Sequence, residues 1–351
     1  MSKNTSTNGK LYLLRERDYF TKKLQPYVKI GIVRGDKETA DRIAEHQTGN
    51  PRGIIELVSL ESPMAEALET QLHYVFGDYW ISGEWFLLDD TMVDHVVDKA
   101  NKIIKEQTNL IPFMEKVDKF EGQLSNGKLK SATDEHIKTH QELKEADQKI
   151  KILGSKIEII ETEILQNMLG HSGVEGVVNL QFKTTHAKLD KTYLKKNYPN
   201  EYSSFCSLVN KWSATFSLKN LMPLAEIDSY LNDMVKQLIR PKFDASYKNY
   251  TLLKRDKKTE KQHFELIALE KERKELEWQK YQKSIQLKAE VEDYLGIDGL
   301  CTWERKATVV EEFKDKDFLK SYPALAAHQT KAKESASVIF RPYRAYPFKL
   351  T

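Results

Sequence analysis

Residues 27–51 read Tyr-Val-Lys-Ile-Gly-Ile-Val-Arg-Gly-Asp-Lys-Glu-Thr-Ala-Asp-Arg-Ile-Ala-Glu-His-Gln-Thr-Gly-Asn-Pro. The run Val28 to Val33, entered through Pro26 and Tyr27, predicts a strand. Residues 38–47 are helical in pattern, and Thr48-Gly49-Asn50-Pro51 is a strong stop and turn. On the N-terminal side, Leu11 to Leu14 is a second short β-type run. On the C-terminal side, Ile54 to Ser59 is a third strand candidate. Ser62-Pro63 then opens a helix to about Phe76, with Ser62 as N-cap and Pro63 at the first helical position. A helix from about Thr91 to Glu106 closes the unit. The order β-β-α-β-α-α suits a small α/β (α+β) domain with one central sheet.

The whole chain has 351 residues, enough for two or three domains. Its 30% charged residues, with Gly 15 and Pro 10, exclude collagen-like and low-complexity classes and fit a helix-rich soluble protein. No apolar run approaches a membrane span, and mean hydropathy is −0.59. The first ten residues are polar and lack the apolar core of a signal peptide. Cys206 and Cys301 alone make neither a disulfide framework nor a zinc site, which points to a reducing, cytoplasmic compartment. With 55 Lys+Arg against 52 Asp+Glu the charge is nearly balanced, so any nucleic-acid site depends on local clustering.

Beyond residue 108 the texture changes. Leu143, Ala146, Ile150, Leu153, Ile157, Ile160, Ile164 and Met168 recur at spacings of three and four, a coiled-coil-like seam on a long helix ended by Gly170. It suits an intramolecular helix hairpin or core face, or else the zipper of a homodimer. A second charged helix is expected from about Lys254 to Leu295, ended by Gly296. The two halves read as copies. Met168-Leu169-Gly170 with Gly173 answers to Tyr294-Leu295-Gly296 with Gly299. Tyr193 to Pro199 answers to Phe318 to Pro323, one residue shorter. Each copy then closes on an aromatic and basic strand, at Lys211 to Phe216 and at Val338 to Arg344. The expected organisation is a catalytic domain (1–108), a linker (109–134), a first helix-plus-strand module (135–220) and a second (221–351).

The N-terminal unit carries Tyr12 and Lys29 on strands, Arg42 and His46 four apart on one helix face, and Glu69 and His73 likewise on the next. An Arg, a carboxylate, a Tyr and a Lys on one small sheet are the parts a phosphodiester hydrolase needs. The carboxylate holds a hard divalent cation, the guanidinium forks onto phosphate oxygens, and a Tyr or Lys of lowered pKa takes a proton from water. Each has a plainer reading: a strand aromatic, a routine helix pair, a solvated Glu. Trp85 and Phe86 read as core.

The segments KLY (10–12), YVKIGIV (27–33), DRIAEHQTGNP (41–51), AEALETQLHYVF (65–76) and GEWFLL (83–88), in this order, resemble the GIY-YIG nucleases. Within that superfamily they resemble the branch first seen in phage T5 open reading frames. The resemblance implies that Tyr12 is the first family tyrosine, acting as general base or positioning the water, and that Lys29 replaces the second. It implies that Arg42 engages the scissile phosphate and that Glu69 is the single metal ligand, with Mg²⁺ or Mn²⁺ as cofactor. His46 and His73 stand where His often accompanies those groups. The stretch between the first two motifs, about Leu13 to Val28, is longer than usual.

Residues 299–348 faintly resemble the C-terminal end of YqaJ-type phage recombination exonucleases, without that family's acidic motifs upstream. The run Phe340 to Lys349 interleaves aromatics with cations, so Arg341, Tyr343 and Arg344 are candidates for stacking on bases and gripping phosphates. The alternative is a strand that packs its aromatics on the long helix. The sequence is thus expected to encode a metal-dependent DNA endonuclease, from a phage or mobile element, with C-terminal modules that target DNA. The rival is a non-catalytic DNA-binding or interaction protein, and phosphate chemistry alone does not separate DNA from RNA as substrate.

Overall fold

The computed structural model describes residues 8–35 and 38–341. β1 (Gly9–Arg17) and β2 (Leu24–Arg34) form an antiparallel hairpin. Its tip is tied by the Asp18 carboxylate, which accepts from the amides of Phe20 (3.0 Å) and Thr21 (2.7 Å). The long stretch between the first two motifs is therefore hairpin, and it leaves Tyr12 opposite Gly31. α1 (Thr39–Gln47) leads into β3 (Gly53–Ser62), which pairs antiparallel with the other edge of β1. α2 (Ala65–Val75), β4 (Trp80–Ser82), β5 (Trp85–Leu87) and α3 (Asp90–Glu121) follow, and the sheet order is β3-β1-β2-β5-β4. Strand alternation sorts the two faces. Leu11, Leu13, Val28, Ile30 and Ile32 pack with Leu68 and Leu72 of α2 and Val93 and Val96 of α3. Tyr12, Leu14 and Val33 face the other way, against Ile43 of α1.

Two boundaries differ from expectation. α2 opens at Ala65, because Ser62 precedes a proline and stays extended as the last residue of β3. The Ser62 hydroxyl donates instead to Gln107 Oε1 at 2.7 Å. α3 does not stop near Glu106. Its buried stripe of Ala100, Ile103, Gln107, Leu110, Met114 and Val117 keeps helical spacing through Pro112 to Glu121. Met64, Ala67, Leu110 and Met114 then pack on Trp278, Tyr281 and Ile285, joining this unit to the rest of the chain.

The remainder comprises β6 (Leu129–Lys130), α4 (Asp134–Asn167), β7 (Gly173–Val174), β8 (Val178–Thr185), α5 (Lys191–Asn197), α6 (Pro199–Ser204) and β9 (Cys206–Leu218). It continues with α7 (Leu224–Ile227), α8 (Ser229–Gln237), α9 (Lys257–Val291), β10 (Gly296–Ile297), β11 (Cys301–Phe313), α10 (Asp315–Ser321) and β12 (Lys333–Phe340). α4 and α9, each about 50 Å long at 1.5 Å per residue, lie antiparallel. Lys280 meets Asp147 (2.6 Å), Lys283 meets Glu142 (2.8 Å) and Gln262 meets Glu163 (2.6 Å). Leu143, Leu153, Ile157, Ile160, Ile164 and Met168 are buried within this one chain. α9 ends at Val291 rather than Leu295, where Glu292 takes a left-handed φ of 55°. Gly296 belongs to β10.

The two halves share a run of local features, in a register different from the expected one. Gly173-Val174-Glu175-Gly176 corresponds to Gly296-Ile297-Asp298-Gly299, since Gly176 (φ 71°) and Gly299 (φ 72°) close the same turn. His140 and His263 keep that offset, and each ring Nε2 bonds a backbone carbonyl, of Lys219 (3.0 Å) and Arg341 (2.7 Å). Fully buried Leu194 and Phe318 correspond, so the Tyr-Pro blocks align without a gap. The final strand of the second copy is β12, ending at Phe340; the part of that run after Arg341 lies outside the described residues.

The copies do not close on themselves. β8 of the first pairs with β12 of the second, and β11 of the second with β9 of the first. Likewise β6, which precedes α4, pairs with β10, while Val174 bridges to Leu253, just before α9. One core gathers at the Ile164–Leu266 end of the helix pair and another at the Leu143–Leu287 end. In total the described residues form an α+β protein with ten α-helices and three small sheets. No described helix is long and apolar enough to cross a membrane.

Trp303 fills the second core with 0% exposure, between the Arg305 guanidinium (4.4 Å from the ring centre) and the Lys288 ammonium (4.8 Å). Arg305 itself donates to the carbonyls of Phe120, Glu292 and Tyr294, gathering the ends of α3 and α9. Trp303→Ala is expected to cost about 3–5 kcal/mol, read as a lower denaturant midpoint in equilibrium unfolding.

Candidate active site

The sheet face beneath α1 is where the chemistry converges. On β1 the alternation that sends Leu11 and Leu13 into the core turns Tyr12 to the opposite face, 1% exposed. Its ring crosses directly over Gly31 on the neighbouring strand. A Cβ at Gly31 would lie 2.5–2.7 Å from the Tyr12 ring and hydroxyl, so only glycine leaves room for this path. The next residue on that face of β2 is Lys29, whose ammonium meets the Glu84 carboxylate at 2.5 Å and lies 5.9 Å from the Trp85 ring.

α1 supplies Arg42 and His46 from one face. Tyr12 Oη is 3.5 Å from His46 Nε2, and the Arg42 guanidinium is close enough to influence the same hydroxyl. The Arg42 guanidinium also pairs with Glu45, one turn along, while its Nε is buried without a partner among the described residues. Glu69, on α2, is 5% exposed and close enough to Tyr12 to influence its ionisation. His73, one turn further, donates from Nε2 to the Ile30 carbonyl at 2.9 Å and sets its ring edge-on to Phe86. That bond locks α2 against β2, and so fixes the height of Glu69 above the sheet.

Tyr12, Lys29, Arg42, His46 and Glu69 therefore share one electrostatic neighbourhood, with His73 bracing it from below. Of the C-terminal candidates, Arg341 lies far along the chain from this site. Its amide donates to the Val177 carbonyl and its guanidinium sits 5.6 Å from the ring of Trp80 on β4. Tyr343 and Arg344 lie outside the described residues. Glu84 is the member that the sequence left without a role. It immediately precedes Trp85, which is paired with Lys29, and its carbonyl accepts from the Ile30 amide at 3.0 Å.

Burial raises the Tyr12 phenol above its ordinary pKa, and the nearby Arg42 cation only partly opposes it. The shift runs opposite to the lowered phenol that a general base would need. Burial lowers His46 below its ordinary 6.5, and the nearby Lys29 and Arg42 cations lower it further. Tyr12 Oη and His46 Nε2 face each other across 3.5 Å, with the donor set by the imidazole tautomer.

Among the described residues no three His, Cys, Asp or Glu side chains cluster as a metal cage. The donor set suits a hard cation held by the Glu69 carboxylate and otherwise by water. Two further carboxylates stand nearby, Glu84 paired with Lys29 and Glu45 paired with Arg42.

A T5orf172 domain model matches residues 9–102. That domain is associated with nuclease-type proteins. The match covers the five-stranded sheet, α1, α2 and the first part of α3, and so every residue of the candidate site. It does not reach residues 299–348, whose resemblance to YqaJ-type exonucleases has no support. Neither curated proteins nor solved structures gave a significant match.

The Tyr12–Gly31 crossing predicts that Gly31→Ala destabilises by about 1–3 kcal/mol through overpacking. In a double-mutant cycle with Tyr12→Ala the two losses are expected to be non-additive, as measured by urea unfolding. A histidine whose folded pKa is depressed contributes stability above its unfolded pKa and loses it as pH falls through the folded value. His46→Gln is therefore expected to lose less stability than the parent between pH 7.5 and pH 5, compared by unfolding curves at both.

Proposed function

We propose that this protein is a DNA endonuclease that hydrolyses phosphodiester bonds at the Tyr12–Arg42–His46–Glu69 site. The observation that carries this reading is the convergence of a guanidinium, a neutral imidazole, a buried phenol and a buried carboxylate inside the segment matched by a nuclease-associated domain. In this reading Arg42, released from Glu45, forks onto the scissile phosphate. Tyr12 orients the attacking water, and His46 accepts the proton, directly or through the Tyr12 hydroxyl. Lys29, held by Glu84, adds positive potential where charge develops on the phosphate. Glu69 is the residue that would hold Mg²⁺ or Mn²⁺, which when bound supplies Lewis acidity at the phosphate and leaving oxygen. The helical and strand modules would add affinity for DNA, in keeping with a phage- or mobile-element-derived enzyme.

One observation favours a second reading, a DNA-binding protein on a nuclease scaffold. Tyr12 and Glu69 are only 1% and 5% exposed, so the phosphate must reach groups that are largely covered. Substitution separates the two. With Mg²⁺ or Mn²⁺, the parent is expected to nick or linearise supercoiled plasmid. Glu69→Ala and Arg42→Ala are expected to lose at least about 100-fold in rate while retaining DNA in gel-shift assays. A parent that retards DNA but leaves plasmid intact with both metals would establish the second reading.

A further inference from the structure

Two features of the C-terminal half lie outside the nuclease site: a pair of bare β-ribbons, and the small aromatic tip they carry together. In β9, Asn210, Lys211, Trp212 and Ser213 are all exposed, and opposite them in β11 so are Lys306, Ala307, Thr308 and Val309. Consecutive strand residues point to opposite faces, so this ribbon is uncovered on both sides. The outer part of the β8–β12 ribbon is likewise bare at Lys183, Thr184 and Thr185 and at Lys333, Glu334 and Ser335. The β9–β11 ribbon pairs over 13 positions, which is about 43 Å at ~3.3 Å per residue. An isolated two-stranded ribbon is marginal in water. Here each is anchored at one end of the helix pair and both meet at the tip.

The tip has its own core. Tyr202 stacks on Phe313 at 4.2 Å, Phe205 sets its edge on Phe318 and Tyr322, and Tyr193 stacks on His328 at 4.5 Å. Its outer surface is basic on one side. Residues 188–196 contain Lys188, Lys191, Lys195 and Lys196 against Asp190 alone, a net charge of +3. Lys191, Thr192, Lys195, Lys196 and Tyr202 line an open depression of about 370 Å³. Lys191 is paired with Asp315 (2.7 Å) and Lys195 more loosely with Glu311 (3.6 Å). Lys188 and Lys196 have no acidic partner among the described residues.

We propose that this tip, carried out on its two ribbons, grips the phosphate backbone of duplex DNA through Lys188, Lys195 and Lys196. An open, lysine-lined depression offers mobile point charges rather than enclosing walls, which suits a passing polyanion. The rigid Tyr202–Phe313 stack keeps the lysines spaced. Carried at the outer ends of both ribbons, the tip lengthens the footprint beyond what the first hundred residues can cover. This inference rests on the reading that the chain acts on DNA, and its test is independent of cutting.

The experiment uses the full chain, EDTA and a fluorescent 30-base-pair duplex, with anisotropy titrations at several KCl concentrations. Lys188→Ala/Lys195→Ala/Lys196→Ala is expected to weaken binding and to flatten the log K against log salt slope by about 2.7. Circular dichroism and the melting temperature should match the parent, because all three side chains are exposed. Charge reversal to Glu is expected to weaken binding further. An unchanged slope and affinity in both variants would overturn the proposal, as would the absence of duplex binding by the parent. If the parent binds with this dependence yet never cuts plasmid, the nuclease reading fails and the tip assignment stands.

Discussion

The reciprocal pairing of β8 with β12 and of β9 with β11 is the constraint from which the C-terminal architecture follows. Each copy of the duplicated segment presents a first strand whose partner belongs to the other copy. Neither copy can satisfy its backbone alone. The antiparallel α4–α9 pair sets the two ends at which those exchanged sheets form. It also places Asp147 between Lys151 and Lys280, where burial pushes the carboxyl upward but the two ammonium groups more than offset it and hold it below its ordinary range. The T5orf172-matched unit is then fastened to the second helix through Trp278 and Tyr281.

Much of the N-terminal unit was legible because its signals are local. Alternation in Val28 to Val33, the Thr48–Pro51 turn and the helical spacing of Arg42 with His46 need no knowledge of distant partners. The end of α3 was not legible, since a change of texture beyond residue 108 suggested a boundary. A buried stripe against α9 overrides it. The repeat was detected through chemically similar glycines but in a shifted register. What fixes the register is the left-handed conformation of Gly176 and Gly299, and backbone conformation is only weakly encoded in residue type. Strand exchange was invisible for a simpler reason: nothing in β8 says whether its partner lies in its own copy or the other.

The candidate site was legible as a set of residues and illegible as an electrostatic arrangement. The segments around Tyr12, Lys29, Arg42, His46, Glu69 and His73 named the participants. The electrostatics came only from the surroundings: the phenol is buried and raised, the imidazole is half-buried and lowered, and Lys29 is engaged by Glu84. Gly31 is the hinge of that arrangement. Its missing side chain is the space through which the Tyr12 ring reaches across the sheet toward the helices. His73 serves the same end from α2, donating from Nε2 to the Ile30 carbonyl to fix the helix on the strand.

The exchanged strands also impose a timetable on the nascent chain. Val178 finds its partner in Phe340, 162 residues later, and the unit around β1–β5 is complete long before either arrives. At ~5–20 residues per second of synthesis, the edge of β8 waits about 10–30 s for β12. Until then β8 has only its short β7 neighbour, and its other edge is open to a neighbouring chain. A duplicated protein of this design is thus exposed during manufacture to pairing with a second molecule in place of its own later half.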